Sequence, residues 1–93
     1  MGKYIVEYTE TAIKDLRKHK KAGNKATLEK IKRIIYELEI HPFVGIGQPE
    51  ALKYKLNGFW SRRINQKDRM VYYVNEDKVL VEVISAMGHY LDK

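Results

Sequence analysis

Several side chains in the second half of the chain are of types that could transfer protons at a phosphate. Glu50 ends a loop that contains proline and glycine, and His89-Tyr90 brings an imidazole and a phenol near the C-terminus. Arg69 lies between them in a strand-like segment. Cleavage of RNA without a metal needs such a mixture, because a base, an acid and cations must act on one phosphate.

Each of these residues also has an ordinary structural interpretation. A glutamate after a proline is commonly a solvated loop end, and a histidine near a C-terminus is commonly exposed. Arg69 could simply pair with Asp68 or Glu76. Only the combination of these residues favours a catalytic site.

The composition excludes several other kinds of chemistry. The chain has 93 residues, so residues 1–93 are predicted to form one domain. It has no cysteine, which excludes thiolate ligands and cysteine nucleophiles and is typical of a reducing compartment. The three histidines lack ligand spacing and the acids form no cluster, so neither a metal nor another cofactor is expected. Short apolar runs and strand-like first residues predict no membrane span and no signal peptide, hence a cytoplasmic protein.

The charge indicates a polyanionic partner. Eighteen lysines and arginines against 12 acids give a formal net charge of +6. Such a balance is typical of proteins that meet nucleic acid, an acidic membrane surface or an acidic protein. Solubility is the simpler explanation, since many small domains carry a charge of this size.

Hydrophobic periodicity and turn signals predict an α+β fold of order β-α-α-β-β-β-β. The fold is a helical hairpin packed on a twisted antiparallel sheet. The first helix follows an N-cap at Thr9 or Thr11, and Pro42 stops the second. The predicted strands are 3–8, 51–56, 59–64, 69–74 and 78–86, and the predicted helices end near 20–23 and at about 40.

The helical periodicity also predicts which side chains face the sheet. Ala12, Ile13 and Leu16 form the inner face of the first helix, and an apolar stripe from Leu28 to Leu38 forms that of the second. Glu37 is expected on the outer face. His19 and His41 are expected at the surface.

Strand alternation predicts an RNA platform on the sheet. Trp60 and Arg62 share one face, whereas Ser61 and Arg63 share the other. Rings can stack on bases and guanidinium groups can meet phosphates, so Trp60, Arg62 and Arg63 are candidate RNA ligands. For each aromatic ring the alternative is a place in the core.

Four segments together resemble the YoeB (Txe) branch of the RelE/ParE toxin superfamily. They are Gly47–Lys53 (GQPEALK), Leu56–Ile64 (LNGFWSRRI), Asp68–Tyr72 (DRMVY) and His89-Tyr90. The resemblance implies a RelE-like microbial RNase fold and the toxin of a type II toxin–antitoxin system. Such toxins are ribosome-dependent messenger-RNA endoribonucleases that inhibit translation. The implied partners are mRNA on the ribosome with its rRNA, a cognate YefM-like antitoxin and a possible second copy of the chain.

The resemblance also implies roles for single residues. Glu50 corresponds to the general base, His89 to the general acid, and Arg69 to the arginine that stabilises the phosphate. Tyr90 corresponds to the tyrosine beside the histidine, and Lys53 and Arg63 to basic residues near the site.

In the mechanism that follows from these roles, the RNA 2′-hydroxyl attacks the adjacent phosphate. The products are a 2′,3′-cyclic phosphate and a 5′-hydroxyl end, and no metal is needed. Two alternatives use the same scaffold: a non-nucleolytic ParE-like inhibitor of DNA gyrase, and a basic RNA-binding module that cleaves nothing.

Overall fold

The computed structural model describes residues 3–53 and 56–88, which form two helices and five strands. The elements are β1 Ile5–Tyr8, α1 Glu10–Ala22, α2 Lys25–Ile40, β2 Glu50–Ala51, β3 Phe59–Arg63, β4 Arg69–Asn75 and β5 Leu80–Ser85. This confirms the predicted α+β class and the predicted order of elements. Strand β2 is shorter than predicted, because the chain leaves the strand at Leu52 and buries that side chain.

The strands form one sheet in the order β1-β5-β4-β3-β2. Strands β2 to β5 are an antiparallel meander, as predicted. Strand β1 pairs with β5 in parallel, so the sheet is mixed rather than wholly antiparallel. A parallel pair needs a long connection between its strands. Here the helical hairpin and the meander provide it.

Polar side chains cap the first turns of both helices. The Thr9 hydroxyl accepts a hydrogen bond from the Ala12 N–H at 3.0 Å, and Asn24 does the same for the Thr27 N–H at 3.0 Å. These caps satisfy N–H groups that have no partner within the helix. Neither helix in the described part of the chain is long and apolar enough to cross a membrane.

The helices cover one face of the sheet and enclose the core. Its fully buried members come from α1, α2, β4 and β5 and include Ala12, Ile34, Leu38, Met70, Tyr72, Val81 and Val83. Helix α1 is turned relative to the prediction. Asp15 and His19 are buried, whereas Ile13 is 39% exposed. The expectation of a surface position for His19 is therefore wrong, because its ring is buried and bonds to the Ala86 carbonyl, just after β5.

A fully buried guanidinium joins α2, the following loop and the sheet. Arg62 has 0% exposure, and each of its five N–H bonds meets an acceptor at 3.2 Å or less. We call this arrangement the Arg62 cluster. Its acceptors are Glu37 Oε1 at 2.6 Å, the Tyr72 hydroxyl at 3.1 Å, and the carbonyls of His41, Val44 and Ile46 at 3.0, 2.9 and 3.2 Å.

Glu37 is buried in the Arg62 cluster, so its predicted place on the outer face of α2 is wrong. Burial alone would raise the pKa of the Glu37 carboxyl. The hydrogen bond from the Ile46 N–H and the Arg62 guanidinium outweigh burial and hold that pKa below its usual value. Glu37 is therefore an anion whose carboxylate bonds to both the loop, at Ile46, and the sheet, at Arg62.

Two glycines allow the loop to close on this cluster. Gly45 has a φ of 133°, and a side chain there would collide with the Glu37 carboxylate. Gly47 has a φ of 81°, and a Cβ there would lie 2.9 Å from the Arg63 carbonyl oxygen. The Gly47 carbonyl accepts the Arg63 N–H at 2.6 Å, which ties the loop to the edge of β3.

Replacing Arg62 with alanine is expected to destabilise the fold by about 3–5 kcal/mol. The change leaves the Glu37 carboxylate and four oxygen acceptors buried without their cation. Urea denaturation followed by circular dichroism measures the free energy of unfolding. The matched control is Arg63→Ala, which removes an exposed arginine one residue away and should change stability by no more than about 0.5 kcal/mol. Equal stability losses in the two variants would contradict the role of the cluster.

Glu37→Gln is expected to lose stability at neutral pH and to approach the wild type in acid. A carboxyl whose pKa is lowered by folding contributes stability above its unfolded value of 4.5. That contribution is lost as the pH falls through the lower folded pKa. Urea midpoints between pH 7 and pH 3 measure the difference, and Glu29→Gln controls for the loss of one carboxylate from α2. A wild-type advantage that stays constant down to pH 3 would disprove this linkage.

Candidate active site

Four polar residues share the face of the sheet that the helices leave open. Glu50 pairs with Ser61 across β2 and β3, and Arg63 pairs with Arg69 across β3 and β4. Directly opposed residues point to the same side of a sheet, and so do residues two apart in one strand. Glu50, Ser61, Arg63 and Arg69 therefore belong to one surface, and we call them the open-face cluster.

Arg69 is the centre of the open-face cluster. Its Nη1 lies 3.7 Å from Glu50 Oε1 and donates a hydrogen bond to Ser61 Oγ at 3.4 Å. The Arg69 side chain is only 15% exposed, whereas that of Glu50 is 56% exposed. An ion pair this long and this exposed contributes at most about 1 kcal/mol. Glu50 can therefore exchange Arg69 for another partner at little cost.

The register brings two positive charges close together on this surface. Arg63 and Arg69 are directly opposed across the two strands, and like charges in such positions repel. An anion near both guanidinium groups relieves the repulsion. Glu50 supplies one negative charge beside Arg69, and a phosphate would supply another.

Three predicted RNA ligands lie in different environments. Lys53 is exposed just beyond β2, and Arg63 is exposed on the open face. Arg62 is buried in the Arg62 cluster on the other face, so its predicted contact with RNA is wrong. Its neighbours in space satisfy all of its donors, and the core screens it from solvent.

Trp60 also lies on the helix-covered face of the sheet. Its ring packs against the core and lies 5.1 Å from the Phe43 ring, centroid to centroid. The core interpretation of this aromatic residue therefore fits its position. The open face instead carries the rings of Phe59 and Tyr73, whose centroids are 5.0 Å apart.

Strand alternation in the sequence grouped Ser61 with Arg63 but gave Ser61 no function. A serine in mid-strand has no distinctive signal. Its register with Glu50, together with its bond to Arg69, could be seen only in the folded sheet.

His89 and Tyr90 lie outside the described residues, which end at Gly88. The Gly88 carbonyl accepts the Arg69 N–H at 3.0 Å, and the Asp68 carboxylate accepts the Gly88 N–H at 2.9 Å. Asp68 thus bonds to the C-terminal segment. The chain leads into His89 from a point bonded to the backbone of Arg69.

The open-face cluster lies apart from two grooves on the described surface. One groove, of about 940 Å³, lies between α2 and residues 45–48, and the other, of about 260 Å³, lies beside Tyr8 and Leu16. No group of three or more metal-ligating His, Cys, Asp or Glu side chains occurs within 3–53 and 56–88. The open face can thus offer a carboxylate base and two guanidinium groups to a phosphate that approaches from solvent.

Comparisons with known proteins identify the family of this chain. A family model described as "YoeB-like toxin of bacterial type II toxin-antitoxin system" matches residues 8–90. Toxin YoeB from Mycobacterium bovis is 42% identical over 69 residues, which are 74% of this chain and 79% of the relative.

Two solved structures share the fold. A "YoeB/ParE toxin" from Agrobacterium tumefaciens superimposes with a TM-score of 0.81 at 34% identity, covering 92% of this chain and 99% of the other. The toxin of a "YoeB-YefM complex" from Staphylococcus aureus superimposes with a TM-score of 0.75 at 32% identity, covering 94% and 98%. From the match over residues 8–90 and the identity to these relatives, the chain belongs to the family of YoeB-like toxins of bacterial type II toxin–antitoxin systems.

Proposed function

We propose that this toxin is a metal-independent endoribonuclease that cleaves messenger RNA on the ribosome and thereby inhibits translation. One observation carries the proposal: Glu50 and Arg69 lie 3.7 Å apart on an open sheet face, next to the segment that leads into His89. A base and a cation at this spacing suit attack by a 2′-hydroxyl on its own phosphate.

In the proposed reaction, Glu50 accepts the proton of the 2′-hydroxyl, and His89 protonates the leaving 5′ oxygen. Arg69 stabilises the negative charge that develops on the phosphate oxygens, and Ser61 orients its guanidinium. Arg63 and Lys53 bind neighbouring phosphates, and Tyr90 acts beside His89. The step leaves a 2′,3′-cyclic phosphate on one fragment and a 5′-hydroxyl on the other.

The exposure of the cluster explains why a ribosome would be needed. General acid and general base terms each supply about 100- to 10,000-fold. The remaining acceleration must come from holding the RNA in line for attack. Glu50 is 56% exposed on an open face, so the protein itself encloses little of a substrate. A ribosome that holds the messenger in a fixed conformation would supply the missing order.

An antitoxin is the second proposed partner. The similar S. aureus toxin forms a complex with YefM, and we extend this to a YefM-like antitoxin for the present chain. The net charge of +6 favours an acidic segment that folds across the toxin on binding. A similar S. aureus protein forms a YoeB dimer, and we extend pairing with a second copy to the present chain.

Glu50→Gln and Arg69→Ala are each expected to reduce cleavage by about 100-fold or more, because each removes a group that acts in the transition state. Primer extension on messenger from a translating extract measures cleavage, and growth on induced expression measures toxicity. The matched controls are Glu76→Gln, in the turn after β4, and Arg17→Ala, on the exposed side of α1, and both should cleave like the wild type.

Full cleavage and growth arrest with both site variants would exclude this mechanism. Growth arrest with DNA damage and intact messenger would favour the gyrase inhibitor. Salt-sensitive RNA binding without cleavage on ribosomes would favour the RNA-binding module.

Cleavage is expected to require the 2′-hydroxyl and to use no divalent metal in the chemical step. A messenger with a single 2′-deoxy nucleotide at the cleaved position should be cut at least about 100-fold more slowly, because its nucleophile is missing. A phosphorothioate at the cleaved position tests the metal on intact ribosomes: its cleavage should not be rescued by a thiophilic metal such as Cd²⁺, as it would be if a metal bound that phosphate. End analysis by mass spectrometry identifies the products. Cleavage of the deoxy substrate at the normal rate, or 5′-phosphate ends, would refute 2′-hydroxyl attack.

A further inference from the structure

Two buried polar side chains of α1 hydrogen-bond to the backbone just before the C-terminal segment of the chain. The Asp15 carboxylate accepts the Ala86 N–H at 2.9 Å, and His19 Nε2 donates to the Ala86 carbonyl at 2.7 Å. A carbonyl oxygen only accepts, so the Nε2 atom must carry the proton. Both polar groups of the Ala86 backbone are thus bonded to side chains that lie 71 and 67 residues away in sequence.

The placement of these bonds follows from where β5 ends. The sheet pairing of β5 stops at Ser85, so the backbone of Ala86 has left the ladder while it is still buried. Buried backbone groups need partners. Asp15 and His19, four residues apart, lie on one face of α1 and continue the hydrogen bonding where the strand stops.

Two residues at the start of β4 and just before it hold Gly88 in the same way. The Asp68 carboxylate accepts the Gly88 N–H, and the Gly88 carbonyl accepts the Arg69 N–H. Four hydrogen bonds therefore hold residues 86 and 88 between α1 on one side and the start of β4 on the other. One of the four comes from the backbone of Arg69, the arginine at the centre of the open-face cluster.

At these two core-facing positions of α1, polar side chains satisfy the buried backbone of Ala86. Asp15 and His19 are 7% and 5% exposed, and buried polar groups are costly unless they are well bonded. Ala12, on the same face, is fully buried and apolar. A polar pair in such a place is explained by the geometry that it imposes on Ala86.

We propose that Asp15 and His19 are positioning residues for the general acid. This role rests on the proposed function of His89. By bonding to Ala86, the two residues align the chain that carries His89 with Arg69. Neither residue touches the substrate. They act through the backbone of residues 86–88.

The test compares His19→Leu with His19→Gln in the full chain. Leucine has no donor for the Ala86 carbonyl, so cleavage of ribosome-bound messenger should fall about 10- to 100-fold in kcat, as for a small misplacement of a catalytic group. The KM for programmed ribosomes should change less than about twofold, because no substrate contact is lost. Glutamine carries an N–H donor of similar reach and should restore most of the rate.

Thr9→Val is the matched control for stability. The Thr9 hydroxyl donates to the Ile84 carbonyl at 2.7 Å, so it also joins α1 to β5 and also caps the helix. Because this bond is to Ile84, which precedes Ala86 in the chain, it does not hold residues 86–88. The variant should lose thermal stability but cleave at the wild-type kcat. A similar kcat loss in Thr9→Val, or none in His19→Leu, would overturn the inference.

Amide hydrogen exchange gives a readout that needs no activity and no substitution. In the wild type, the amides of Ala86 and Gly88 should exchange nearly as slowly as that of Val83, within the pairing of β5. If the amides of Ala86 and Gly88 exchanged as rapidly as that of Asp77 in its exposed turn, the hydrogen bonds to residues 86 and 88, and with them the inference, would be disproved. This outcome holds even where His19→Leu does not fold.

The two proposals can fail separately. Wild-type cleavage by His89→Ala would show that His89 is not the general acid, and Asp15 and His19 would then have no catalytic group to position. Loss of cleavage in His89→Ala together with full kcat in His19→Leu would remove only the positioning role. Slow exchange at Ala86 with full kcat in His19→Leu would leave the bonds as structure alone and would also overturn the inference.

Discussion

The buried guanidinium of Arg62 is the interaction on which the arrangement of the site depends. The loop from His41 to Ile46 turns its carbonyl groups inward and places them around one cation, and Glu37 neutralises that cation. A buried ion pair adds little net stability over an apolar core, but removal of one partner is costly. The benefit here is geometric. The bonds to Arg62 hold the path of the loop, which leads the chain to Gly47, to the edge of β3 and then to Glu50.

Adjacent residues of β3 have different roles, because the pleat of the strand turns one to the core and the next to the open face. Arg62 points into the core and Arg63 points to the open face, although both carry the same side chain. Strand alternation makes such a division possible, because neighbouring residues in a strand meet opposite environments. The same strand therefore anchors the loop that precedes Glu50 and supplies a cation to the open-face cluster.

Charge is unevenly distributed along the open face. Arg63 and Arg69 are opposed near β3, whereas Glu7 and Glu82 are opposed where β1 meets β5. The two residues of each pair repel each other, and the two pairs together give the sheet a basic end and an acidic end. A polyanion is attracted to the basic end and repelled from the other. In the proposed function, this polarity would direct the phosphate chain of an RNA towards Glu50 and the segment before His89.

The element order, the helix caps and the family motifs could be predicted from the sequence, because each depends on neighbours within a few residues. Thr9 caps its helix through a residue three positions away, and the alternation in β3 separates Ser61 from Arg62 whatever the rest of the chain does. The burial of Arg62 and His19 could not be read in this way. Their partners are Glu37, 25 residues away, and Ala86, 67 residues away. A charged or polar side chain is buried only where the fold brings it a partner, so its environment was decided by the tertiary structure alone.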